Sequence, residues 1–211
     1  MNRVLKCLAV VCLAGFGIAQ AADTKEEGFV QLFDGKSFNG WKINESPESW
    51  SIVDGAFVAK GNRSHLFYVG DEKPFVNFEL RVDCKTEKNS NGGIYFHTKF
   101  QEQGWPKYGF EAQVNNSYNS DPQKTGSLYA VVKVLDKNAD DDVWYTETII
   151  VKGKNVTIKV NDKVVVNYDE PADKVAGEDF TRKIDKGTFA LQAHDPGSRV
   201  HFKNIRVKRL D

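Results

Sequence analysis

The chain has 211 residues, 29 of them basic and 29 acidic, for a formal charge of zero. Both signs are interspersed, which excludes the basic stripe that a nucleic-acid or anionic-lipid partner requires. A chain of this length can bury roughly 70% of its unfolded surface in one core.

Residues 1–21 read as an export leader. Arg3 and Lys6 open it, an apolar run covers residues 8–18, and Ala19-Gln20-Ala21 forms a small-x-small cleavage signal. The run is shorter than the roughly 20 residues a spanning helix needs, so no membrane span is expected after leader removal. The expected destination is the periplasm or the extracellular space. Residues 22–28 form a short extension, and 29–211 form a single domain. Cys7 and Cys12 leave with the leader, so Cys84 has no partner for an intrachain disulfide. It shares parity with Phe78, Leu80 and Val82, opposite Glu79, Arg81 and Asp83, and so reads as a small core hydrophobe.

Period-2 alternation begins at residues 50–53 and 56–59, flanking the hairpin signal Asp54-Gly55. Further strands are predicted at 75–84, 93–98, 109–115, 128–134 and 144–151. Residues 155–160 and 163–168 pair around Asn161-Asp162. Residues 187–192 and 199–208 close the chain. In the last of these, Val200 and Phe202 have one parity and Ile205 and Val207 the other, which predicts a bulge near Lys203-Asn204. No stretch carries a sustained helical stripe. Strands joined by short polar turns predict an all-β protein, either a two-sheet antiparallel sandwich or a barrel. The polar stretches 101–107, 116–125, 138–142 and 171–184 are loops, where sites are usually built.

Walker-type glycine loops, Cys-x-x-Cys, Gly-x-Ser-x-Gly and His-Glu-x-x-His are absent, which argues against nucleotide- or zinc-dependent chemistry. Other residues point elsewhere. Glu111 and Gln113 occupy alternate positions and share a strand face. Tyr95 and His97 are expected to share a face opposite Ile94 and Phe96. Tyr129 follows Gly126-Ser127-Leu128, and Gln192 and His194 share parity just before Asp195. Trp105, in the loop tripeptide Gly104-Trp105-Pro106, is a candidate platform for a sugar ring. Flat apolar surfaces beside directional donors and acceptors are what sugars require, so the expected partner is a carbohydrate. His65 and His201 read as packed or solvated, and Asp140-Asp141-Asp142 lacks the spacing of a calcium loop.

The opening Phe29-Val30-Gln31-Leu32-Phe33-Asp34-Gly35-Lys36-Ser37-Phe38-Asn39-Gly40-Trp41 resembles that of the 3-keto-disaccharide hydrolase domain family. Asn91-Gly92-Gly93-Ile94-Tyr95-Phe96, Gly109-Phe110-Glu111-Ala112-Gln113-Val114 and Thr125-Gly126-Ser127-Leu128-Tyr129 follow in the family's order. The likeness extends to the final strand, with Gly92 where the family usually has serine and His97 where it commonly has arginine. The resemblance implies a concanavalin A-like jelly roll acting on glycosides oxidised at C3, by base-assisted elimination and hydration. For that chemistry Glu111 is expected as base or acid, with His97 and His194 as candidate enolate stabilisers or proton donors. Gln113, Gln192, Tyr95 and Tyr129 would orient hydroxyls, and Trp105 and Asp195 would complete the substrate contacts. A divalent metal held by Glu111 and the histidines is compatible, although no ligand spacing demands one. The rival expectation is a non-catalytic, lectin-like carbohydrate-binding module. A third is an assembly protein, whose mark would be a contiguous apolar patch.

Overall fold

A computed structural model describes residues 26–210. The expected leader lies outside them. Strands β1 (Val30–Gln31) and β2 (Trp41–Ile43) open the fold, and a single 3-10 turn (Pro47–Ser49) leads into the hairpin of β3 (Trp50–Val53) and β4 (Ala56–Lys60). Asp54 and Gly55 both have positive φ at its tip, as a two-residue turn of this twist requires. Then come β5 (Ser64–Tyr68), β6 (Phe78–Thr86), β7 (Gly92–Thr98) and β8 (Phe110–Val114). The remaining strands are β9 (Tyr145–Lys152), β10 (Asn155–Val160), β11 (Lys163–Asp169), β12 (Thr188–Ala193) and β13 (Arg199–Arg209).

They form two antiparallel sheets. The larger runs β11-β10-β9-β6-β13-β4-β3, with β1 added on β13, and the smaller runs β2-β5-β12-β7-β8. This is the two-sheet jelly-roll sandwich, and the barrel alternative is set aside. Alternation builds the core: Phe78, Leu80, Val82 and Cys84 of β6 meet Phe96, Phe110 and Phe189 of the opposite sheet. Cys84 is fully buried, and burial pushes its thiol well above the ordinary range, so it packs and does not react. The parity change in β13 is a bulge between Lys203 and Arg206, with Asn204 at positive φ.

Two expectations are corrected. Residues 128–134 form no strand. Leu128 makes isolated bridges to Ala112 and Val132, and the chain doubles back through Ala130 at positive φ. Conversely β5 is a strand that alternation hid. Leu66 enters the core between the sheets, while His65 and Phe67 lie on the opposite face under other side chains. A strand covered on both faces loses its polar half.

Candidate active site

The site lies on the outer face of the smaller sheet. On β8, Phe110, Ala112 and Val114 point into the core, which turns Glu111 and Gln113 outward. Tyr95 of β7 stands opposite Glu111 in register, and Ala190 of β12 stands opposite Tyr95. Gln192 pairs with His65 of β5. Loops 101–107, 116–125 and 171–184 rise around these strands and enclose a trough of about 340 Å³. Trp105, Asp121, Tyr129, Phe180, Arg182 and His194 line it together with the strand residues.

Glu111 is held by neutral donors. Tyr95 Oη donates to one carboxyl oxygen at 2.9 Å, and Gln192 Nε2 donates to the other at 2.9 Å. The second Gln192 hydrogen goes to Tyr95 Oη at 3.0 Å, closing a three-membered network. Gln192 Oε1 is buried and has no hydrogen-bond partner. Burial pushes the Glu111 carboxyl up to about 7, against the opposing pull of the Tyr95 and Gln192 hydrogen bonds. At neutral pH it therefore exists in both protonation states, as a group that takes and returns a proton must.

Gly93 makes this placement possible. A Cβ there would lie 3.0 Å from Cγ and Cδ of Glu111 and closer still to its carboxyl oxygen. The φ of Gly93 is not positive, so alanine fits the backbone and only the flexible carboxyl has to give. Gly93→Ala is expected to stay folded yet lose roughly 100-fold in turnover, because a catalytic group moved by about 1 Å costs that much. Unchanged turnover would show that Glu111 does not act from this position.

The remaining predicted residues divide. Gln113 is buried and donates to Asn91 Oδ1 at 3.1 Å. Tyr129 lines the trough, where burial and the adjacent Asp121 push its phenol up to about 12. His194 stands at the rim between Trp105 and Tyr118, with ring centroids 5.3 and 5.6 Å away. Its Nδ1 is 2.7 Å from Asp195, which also accepts from the Ser198 hydroxyl and the Gly197 amide. Asp195 thus orients His194 and does not line the trough. Trp105 is a built platform: Gln101 accepts from the Lys107 amide and donates to the Gln103 and Trp105 carbonyls, and the Gly104 amide donates to Glu45. His65 lies fully buried beneath Trp105 and Tyr95, 5.4 Å from each ring, and burial pushes it down to about 3, so it is neutral packing.

His97 is not in the trough, which corrects its expected pairing with Tyr95. It sits at φ 54°, beside the register shift between β7 and β12, and this breaks the alternation. The ring turns toward Phe78 and Phe96. Its Nε2 donates to the Val76 carbonyl at 2.9 Å, and its Nδ1 accepts from the Asp185 amide at 3.3 Å. That removes one proposed metal ligand. Glu111 already serves two donors, His194 is held by Asp195, and among the described residues no three His, Cys, Asp or Glu side chains converge. A divalent metal does not fit this donor set.

Asp121, Phe180 and Arg182 went unread in the sequence because each lies in an aperiodic loop. The only signal was that those loops are long and polar.

Sandwich and trough together define a concanavalin A-like protein of the carbohydrate-handling class. The chain belongs to the 3-keto-alpha-glucoside-1,2-lyase-like domain family, whose model matches residues 28–208. It is 28% identical to a 3-keto-disaccharide hydrolase of Bacteroides thetaiotaomicron, over 88% of this chain and 79% of that one. A solved candidate glycosyl hydrolase of Parabacteroides distasonis is 27% identical, with a TM-score of 0.74 over 88% of this chain and 95% of that one. A carbohydrate-binding module of Bacillus subtilis, 13% identical, shares the fold at a TM-score of 0.53 over 80% of this chain and 95% of that one.

Proposed function

We propose that this protein cleaves glycosides carrying a ketone at C3, with Glu111 as the base, after export to the periplasm or beyond. A C3 carbonyl acidifies the hydrogen on C2. Glu111 removes that proton, the C2–H electrons form the enolate, and its collapse expels the glycosidic oxygen from C1. The departing oxygen takes a proton from a trough acid, for which His194 at the rim is the candidate. Water then adds at C1, and C2 regains a proton, so the net change is hydrolysis. One carboxyl suffices, and the observation that carries the reading is that Glu111 sits on neutral donors and titrates near 7. Family membership and the Bacteroides relative's name support the substrate class.

Direct hydrolysis is the second reading, because Asp121 brings a second carboxylate to the trough. The lectin-like reading is supported by fold alone. Incubation with a C3-oxidised disaccharide and with its unoxidised parent separates the three. Cleavage of the oxidised sugar alone is expected. Cleavage of the parent would favour direct hydrolysis, and binding without product would favour the lectin. Because the base must be ionised, kcat/KM should rise with pH through an apparent pKa near 7. A flat profile between pH 5.5 and 8.5, a window of about 1.5 units either side of that value, would remove Glu111 from the base role.

A further inference from the structure

The elimination needs a second group, one that receives the negative charge accumulating on the C3 oxygen as the C2 proton leaves. Neutral Tyr95 and Gln192 are committed to Glu111, and His97 is elsewhere. One cation faces the trough without an ion pair among the described residues. Among the described residues every other arginine is ion-paired: Arg63 to Glu45, Arg81 to Glu79 and Glu26, Arg199 to Glu87, Arg206 to Glu26 and Asp83, and Arg209 to Asp71. Arg182 alone makes no ion pair, although it lines the trough and is only partly exposed.

Its position is also built. The guanidinium lies over the Phe180 ring, 5.0 Å from its centroid, so one face is occupied and the edges remain free to donate. Arg182 has φ 38°, a left-handed conformation that is strained for a non-glycine residue and persists only where flanking bonds impose it. On one side Thr181 donates its amide to the Lys107 carbonyl at 2.8 Å and accepts the Gly109 amide at 2.9 Å, tying the loop to the entry of β8. On the other side the Ile184 amide donates to buried Glu170, and the Asp185 amide donates to His97. The histidine that left the trough thus anchors the segment that carries the arginine.

We propose that Arg182 is a catalytic residue of this trough, its guanidinium binding the C3 oxygen of the oxidised ring and holding the charge that develops there. This rests on the elimination reading above. As the C2–H bond breaks, its electrons form the C2–C3 double bond and the carbonyl π pair moves to oxygen, beside the guanidinium. The proton goes to Glu111. Arg182 stays protonated throughout and supplies charge stabilisation only. A planar fork suits an sp² oxygen whose charge grows during reaction, and a ring with a hydroxyl at C3 offers it no such oxygen.

The test compares wild type, Arg182→Ala and Arg182→Lys on a C3-oxidised disaccharide. In parallel, exchange of the C2 hydrogen into D2O is followed on 1,5-anhydro-3-keto-glucitol, which has no exocyclic leaving group at C1. Loss of the cation is expected to lower kcat and the exchange rate together by about 10²–10³-fold, since that is the worth of one oxyanion donor, with a smaller change in KM. Arg182→Lys should fall between, and added guanidinium should restore part of the Arg182→Ala rate, which a merely structural loss would not allow. Exchange and turnover both within about threefold of wild type would overturn the assignment while leaving the elimination intact, because a missing oxyanion donor costs far more than that. A wild-type protein inert in both assays would overturn the elimination and, with it, the role of Arg182.

Discussion

Glu111→Gln is expected to abolish turnover of a C3-oxidised glycoside, by about 10²–10⁴-fold, while leaving the protein folded and able to bind. The substitution changes little in volume. The new amide still offers one oxygen to the Tyr95 hydroxyl, and Gln192 can turn its own amide to present Oε1, which now lacks a partner. What disappears is the ability to take a proton from carbon. Turnover of the oxidised sugar and affinity for a non-cleavable analogue, measured on the same preparation, separate the roles. Lost turnover with affinity kept within a few-fold supports a base. Lost affinity with nothing to lose in turnover is what a binding module would show.

The second large effect concerns a carboxyl that takes no part in the trough. Glu147 of β9 shares parity with Tyr145, Ile149 and Val151, so it points into the core. It is fully buried, and neither carboxyl oxygen has a hydrogen-bond partner. Burial, reinforced by the like charge of Glu111, pushes Glu147 well above its ordinary value of 4.5. An acid raised in the folded state is ionised in the unfolded chain from about 4.5 upward but remains protonated in the fold. Its contribution is therefore intact below 4.5 and is lost as pH rises, at about 1.4 kcal/mol per pH unit until the folded group also ionises. Glu147→Met removes both the titration and the unpartnered oxygens, and methionine adapts to irregular core space.

At pH 8 the gain should be roughly 2 kcal/mol or more, or about 4–8 °C in Tm for a domain of this size. At pH 4 only the smaller gain from removing a neutral, unpartnered carboxyl should remain. Glu147→Gln, which cannot ionise but is still polar, should flatten the pH dependence with a smaller rise in Tm. Wild type and both variants melting in parallel at every pH would mean that Glu147 finds a partner in solution.

These two carboxyls illustrate what a sequence can and cannot disclose here. The parity that turns Glu111 outward with Gln113 is the same signal that turns Glu147 inward with Ile149, so both were legible from alternation. Only the outward pair stands among polar and aromatic neighbours that suggest chemistry. Hairpins were legible at Asp54-Gly55 and Asn161-Asp162 because turn chemistry is local, and each tip carries positive φ. The β13 bulge was legible because the apolar parity changes within the strand. His97 was misplaced for the converse reason. A positive φ at a histidine leaves no mark in the side-chain pattern, and the parity inferred from Tyr95 fails after it. Residues 128–134 look like a strand, yet Gly126 and Ala130 at positive φ fold the chain back on itself. Asp121 and Arg182 arrive from loops whose path is set by distant anchors, such as the Thr181 bonds to Lys107 and Gly109, and no periodicity could have placed them.

The proposed chemistry begins with removal of a proton from carbon, and deuterium reports that step directly. A C3-oxidised disaccharide cleaved by the wild-type protein in D2O should release a 3-keto sugar bearing deuterium at C2, above the level in a parallel sample without protein. Release of the same sugar with its original C2 hydrogen fully retained would mean that the glycosidic bond breaks without an enolate, and that Glu111 serves some other chemistry.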